Sequence, residues 1–336
     1  MAHLQAHLRA LAFLLLATAA LLLLGTAVGS SGWSPWWDAE PIDAAMAEQI
    51  LWAIRAPRSL GAWCAGALLA LAGAIAQGLF RNPLADPYLL GSSSGAALGV
   101  ALLLSAIGVS PAATSLALRL GLTGAAFIGA VAAVLLTLLL AQGVAQTMRL
   151  LLAGVVVGVV LGSCTALVML MSPEILRAMQ GFMLGTTGFL SWNSVGVLAA
   201  VLAVCLPLAL ACSRALDALA LGEHAAHSLG VRLVAVRMLL VGALALATGA
   251  AVAQTGLIAF VGLVAPHVVR QRWHPTHTGL LLLSTLAGGV LLLAADIAAR
   301  WLLAPAELPV GVLTALLGGA YLLWLMHRRP VFGGEA

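Results

Sequence analysis

Residues 81–99 read RNPLADPYLLGSSSGAALG, a polar, proline-bearing interruption in a chain otherwise dominated by Leu, Ala and Val. Pro83 and Pro87 end the helix before them and stiffen the turn, because proline lacks an N–H and fixes φ. Asn82 and Asp86 have the short side chains that cap helix ends. Gly91, Ser92, Ser93, Ser94 and Gly95 then open a new apolar run. A glycine-rich loop can cradle phosphate when it follows a strand and has a basic partner. Here it opens a helix-length apolar segment. Two readings therefore fit: close helix packing through small residues, or a small polar surface facing a pathway. Either way, the interruption is a tight turn between two spans.

Outward from this turn the chain is 63% hydrophobic and 8% charged, with a mean hydropathy of +1.12. Soluble domains carry about a quarter charged residues, so lipid must be the solvent for most of this surface. The short alternating segments of a β-barrel are missing. An all-α polytopic membrane protein follows, one domain over residues 1–336. Breaking the sequence at charges, prolines and polar clusters gives about ten spans: 10–29, 59–80, 89–107, 115–140, 149–171, 191–212, 233–253, 257–268, 278–297 and 309–326. At ~1.5 Å per residue the segment 257–268 is too short to cross alone. It must be a half-length helix or borrow from its neighbours. Arg9 and the apolar run after it have the look of a signal peptide. The run from Ala10 to Val28 is nevertheless long enough to span, and more spans follow, so we expect a retained first helix.

All 15 basic residues are arginine. A P-loop needs a lysine to reach nucleotide phosphates, so this chain cannot hydrolyse ATP by that route. The net charge of +4 is scattered over loops, without the basic stripe of a nucleic-acid binder. With the N-terminus inside, ten arginines (9, 81, 149, 214, 232, 237, 270, 272, 328 and 329) fall at cytoplasmic ends and five (55, 58, 119, 177 and 300) at the outer face. That bias follows the positive-inside rule, and Trp33, Trp36, Trp37, Trp52, Trp192 and Trp301 fall at the outer boundary as interface anchors. Both termini are thus expected in the cytoplasm. Outside, 41–55 reads as an amphipathic helix with Ile42, Met46, Ile50 and Ile54 at helical spacing. Inside, 214–232 is too polar to span and breaks at Gly222 and Gly230 into two short helices.

The remaining constellations carry bland readings. Cys64, Cys164, Cys205 and Cys212 lie in apolar stretches without CxxC spacing, as small packing residues. Asp296 and Arg300 are spaced for a helical salt bridge. His267, His274 and His277 surround a turn, with Pro275 interrupting any convergent ligand set, so no metal site is expected. Met169, Met171, Met179 and Met183 suit adaptable packing, or a soft lining for a bulky ligand. No residue set for nucleophilic or acid–base catalysis stands out.

Five segments together resemble the permease subunits of ABC importers for iron chelates, haem and vitamin B12, the FecCD type. They are RNPLADPYLLGSSSGAALG at 81–99, RLLLAGVVVG at 149–158, LGEHAAHSLGV at 221–231, TGLIAFVGLVAPHVVR at 255–270 and ADIAARWLLAPAELPVGVLTALLG at 295–318. The resemblance implies a type II ABC importer permease fold with ten helices in the bacterial inner membrane. It also implies a second copy of the permease as homodimer partner and two separate ABC ATPase subunits below, which hold the ATP and magnesium; the permease itself binds no cofactor. A periplasmic or lipid-anchored substrate-binding protein docks above. Carried over by position, Arg55, Arg58 and Arg300 would receive acidic residues of the binding protein. Leu221, Gly222, Glu223, His224, Leu229 and Gly230 would couple to the ATPase. Asn82 and Leu84 would form one cytoplasmic gate and Gln146, Thr147 and Met148 a second, while Gly91–Gly95 would pack beside the path lined by 149–171. FMLGTTG at 182–188 departs from the family's usual sequence. The cargo implied is a ferric siderophore first, then haem or cobalamin. An ion-gradient-driven transporter is the rival reading, and it would need membrane-embedded acids.

Overall fold

Lipid offers the backbone no hydrogen-bond partner, so each apolar run closes its own N–H and C=O groups as a helix. The computed structural model describes residues 2–29, 32–35, 44–107, 116–144 and 146–328. The chain runs through α1 (Ala2–Ala27), a minimal hairpin of β1 (Val28–Gly29) and β2 (Gly32–Trp33), and α2 (Ala44–Ile50). A π-helical turn (Leu51–Arg55) leads into α3 (Ala56–Leu79), α4 (Ser92–Ile107), α5 (Leu116–Leu140) and α6 (Thr147–Met171). After a 3-10 turn (Pro173–Ile175) come α7 (Leu176–Leu184), α8 (Trp192–Ala211), α9 (Ser213–Ala220), α10 (Glu223–Ser228) and α11 (Leu233–Thr255). The chain closes with α12 (Val261–Trp273), α13 (His277–Trp301) and α14 (Val310–Arg328). Among the described residues seven helical stretches are long and apolar enough to cross a membrane. With the shorter apolar Ser92–Ile107 and Val310–Leu325, and the half-length α12, they make approximately ten helices, the number the resemblance implies.

α3 is the axis of the bundle. It is buried along almost its whole length, with α13 alongside it and α11, α12 and α8 around it. Lipid is as apolar as leucine, so close backbone approach rather than water exclusion holds such helices together. Gly66 of α3 faces Gly288 of α13, and Gly95 of α4 faces Gly129 of α5; a Cβ on any of the four would run into the opposite backbone carbonyl. A second apolar cluster joins α4, α5, α7 and α11 through Ala97, Val100, Ala126, Ile175, Met179 and Val252.

Two elements, the helix over 41–55 and α7, differ from expectation, and the half-length segment takes a definite form. The amphipathic helix expected over 41–55 is not separate: α2 runs through the π turn into α3, and Ala45–Leu79 is one continuous stretch. The cause is local. Pro57 cannot donate and its ring crowds the carbonyl one turn back, and a π turn widens the ladder by one residue; the N–H of Ala56 accordingly bonds Leu51 O, five residues back. Segment 257–268 resolves into an unwound stretch at 256–260 followed by the thirteen-residue α12. The N–H of Leu257 donates to Phe182 O at 3.0 Å and that of Thr186 to Thr255 O at 2.8 Å, so α7 and its loop satisfy the broken backbone. α7 itself went unread, and the segment 214–232 holds α9 and α10. Ile42, Trp36, Trp37 and Arg329 lie outside the described residues.

Candidate functional site

Polar side chains gather at two opposite ends of the bundle. At one end, Asp296 of α13 is fully buried and anchors a network. Arg58 Nε donates to its Oδ1 at 3.1 Å, Arg300 Nη2 to its Oδ2 at 2.6 Å, and Thr187 Oγ1 makes a short bond to Oδ1. Arg58 reaches on to Glu307 at 2.9 Å. Arg300 donates through Nη1 to Gly25 O and Val28 O and through Nη2 to Ser59 Oγ. Arg55, half-buried, donates to Thr26 O, Ser34 O and Ser34 Oγ. Arg55, Arg58 and Arg300, expected to receive acidic residues of a binding protein, thus pair within the chain itself. Arg300 is only 1% exposed and all three guanidiniums are engaged inside the chain, tying the end of α1 and the loops at 187 and 307 to α3 and α13. The i, i+4 pair of Asp296 and Arg300 is present but is one edge of a larger cluster. Exposed tryptophans mark the same end: Trp52 and Trp192 stack with centroids 6.4 Å apart, and Trp192 Nε1 donates to Trp52 O.

At the opposite end lie α9, α10 and the turn at 80–91. Asn82 and Asp86 do not cap helices there, which corrects the expectation. Asn82 Oδ1 accepts from the N–H of Leu84 and Asp86 Oδ1 from that of Tyr88, two Asx turns that set the rigid loop between the prolines. Burial pushes the Asp86 carboxyl up to about 6, opposed by the Tyr88 N–H. Asn82 and Leu84 are exposed, as are Gln146 and Met148. Gly91 (φ +80°) turns the chain into α4 with its backbone against Val157 and Gly158 of α6. Ser92 is fully buried, Ser93 and Ser94 half-buried, and Ser94 Oγ lies beside Gly158 and Gly162. The small-residue motif thus seats α4 on α6.

Leu221 and Leu229 are exposed at either side of α10, 73% and 65% respectively. Glu223, its first residue, pairs with the buried Arg237 of α11 at 2.6 Å and accepts from Thr147 Oγ1 at 3.4 Å. The structure therefore joins a residue of the second expected gate to a residue of the expected coupling segment. Asp217 of α9 accepts from the backbone N of His277 and lies 2.6 Å from its Nδ1.

A family model for the FecCD transport family matches residues 13–328. The chain belongs to the FecCD transport family. It is 44% identical over 282 residues to the hemin transport system permease HmuU of Yersinia pestis, covering 82% of each chain. It is 39% identical over 316 residues to the vitamin B12 import system permease BtuC of Salmonella typhi, covering 94% of each. Among solved structures, an inward-facing metal-chelate type ABC transporter superposes with a TM-score of 0.83 at 28% identity, over 94% of this chain and 98% of the other.

In this FecCD chain several site residues escaped the sequence reading. Arg237 was counted only as a basic residue, although an arginine at the fifth position of an apolar helix, LVAVRMLL, signals a buried partner. Thr187 and Glu307 gave no signal, since each reaches its partner across more than 100 residues. The methionine cluster splits: Met179 is core and Met169 packs on it, while Met171 and Met183 are exposed. Cys64, Cys205 and Cys212 are buried and Cys164 exposed, all as free thiols. Among the described residues no three His, Cys, Asp or Glu side chains come together as a metal set.

Proposed function

We propose that this chain is the transmembrane permease subunit of an ABC importer for a caged metal chelate. The observation that carries the reading is the α10 end. Two leucines stand exposed on a polar, glycine-jointed helix whose first side chain reaches the start of α6, in a family member without a single lysine. Exposed apolar residues on a polar rim mark a docking surface. A chain with no P-loop needs its motor from another polypeptide. Two ABC ATPase subunits would seat α10, and ATP-driven closure would shift helices as rigid bodies. That end then faces the cytoplasm, with both termini there and the Asp296 end outward, beneath a substrate-binding protein. α6 leaves Leu152, Val155, Val156, Val159 and Val160 exposed; a second copy of the chain would cover part of this face and share the path. Alternating access moves the cargo. Haem and cobalamin come first as cargo, because permeases for them are among the chain's relatives, and ferric siderophores belong to the same class.

An ion-gradient-driven mechanism has less support, since Asp296, the buried acid near the outer end, is neutralised by two guanidiniums. The test is co-purification with the cognate ATPase. The unmutated chain should hold it, and Leu221→Asp with Leu229→Asp should lose it while still inserting in the membrane. Failure of the unmutated chain to bind any ABC ATPase would overturn the reading.

A further inference from the structure

We propose that Arg237 is the joint through which movement of α10 reaches α6, a positioning residue that ties the short helix to Val144 and, through Glu223, to Thr147 at the start of α6. The proposal rests on the importer reading above and names the side chain that would carry its coupling. Arg237 is 3% exposed. Its Nη2 holds Glu223 Oε1 at 2.6 Å, and its Nη1 donates to Val144 O at 3.3 Å. The same carboxylate oxygen accepts from Thr147, the first residue of α6, at 3.4 Å. One buried guanidinium thus binds three pieces of chain: α10, α11 and the segment leading into α6.

The two short helices are held by different parts of the molecule. α9 is fastened to the start of α13, through Ser213 and Thr278 hydroxyls 2.8 Å apart and through Asp217 on the backbone and ring of His277. α10 is fastened through Glu223 to α11 and α6. Between them sits Gly222 at φ +110°, and Gly230 at φ +77° follows α10. A Cβ at either glycine would meet open space, so backbone conformation, not packing, sets them as joints. α10 also packs on α9, and Gly222 is the joint at which a force on α10 would turn it relative to α9. Separating the ion pair would strand a buried charge, so Glu223, Arg237, Val144 and Thr147 move together.

The relay is tested in proteoliposomes holding the complex of this chain with its ATPase. The chain carries Met148→Cys as reporter and Cys164→Ser to remove the exposed native thiol. The readout is the rate of N-ethylmaleimide labelling in MgADP against MgATP with vanadate. With Arg237 intact the two rates should differ at least about fivefold, the lower range of allosteric coupling. Arg237→Gln and Glu223→Gln should each bring the ratio close to one with the ATPase still bound, and the double variant should go no lower. Arg237→Lys, which keeps a charged donor on the buried side chain, should retain a nucleotide-dependent difference. A difference that survives Arg237→Gln overturns the proposal. If Arg237→Gln fails to assemble, Glu223→Gln decides: an undiminished nucleotide-dependent difference in that variant also overturns the proposal. Loss of ATPase binding by the unmutated chain would instead remove the importer reading, and the relay with it.

Discussion

Asp296 holds two arginines in a site closed to water, where each charge is tolerated only because the others are present. Removing the shared anion by Asp296→Asn should cost about 3–5 kcal/mol, because it leaves Arg58 and Arg300 under-compensated; thermal unfolding in detergent measures it. Glu307→Gln, at a partly exposed side chain, should cost below about 1 kcal/mol. The i, i+4 spacing made Asp296 and Arg300 legible as a pair. The convergence of Arg58, 238 residues away, was not, since no local pattern records it. Asp86 makes a pH prediction. Its folded carboxyl titrates at about 6, against an ordinary value of 3.8. The folded chain therefore binds the extra proton between those values. This contribution is fully present below about pH 4 and fades as pH rises through 6. Asp86→Asn keeps the acceptor for the Tyr88 N–H and should flatten the dependence of the melting temperature on pH between 4 and 6. An unchanged slope would assign it to another group.

Among the elements, the long spans were readable because composition and length alone specify a helix in lipid. What escaped were the places where a helix is broken and mended by tertiary contact. α7, with the mixed sequence LRAMQGFML, is too short and too polar for a span, and it satisfies the unwound backbone at 256–260 from across the bundle. The π turn is a one-residue adjustment to Pro57 that no periodicity announces. Close glycine contacts provide the test at this scale. Gly66→Val or Gly288→Val should force α13 off α3 and destabilise by about 1–3 kcal/mol or more, read as a lower melting temperature in detergent. Gly196→Ala in α8, with open space around it, should be neutral or stabilising by up to ~1 kcal/mol. Equal effects at both places would contradict close approach as the organising contact.

At the scale of the whole molecule, the prolines of 81–99 place a turn between two spans, and the FecCD resemblance marks 221–231 for a partner. What linear sequence could not convey is that these features share one end, and that a buried arginine on a third helix connects them. The bundle thus has one end braced by a buried ion cluster and one end built from jointed short helices. That asymmetry suits the proposed importer, in which cargo would enter on the braced side and force would arrive on the jointed side. The direct test is uptake of haemin, cyanocobalamin and a ferric siderophore by proteoliposomes holding this chain, its ATPase and its binding protein. The account predicts that one of these chelates accumulates only with MgATP and the ATPase present, at a rate unchanged by a protonophore. Uptake that persists without the ATPase and collapses when the proton gradient is discharged would contradict it.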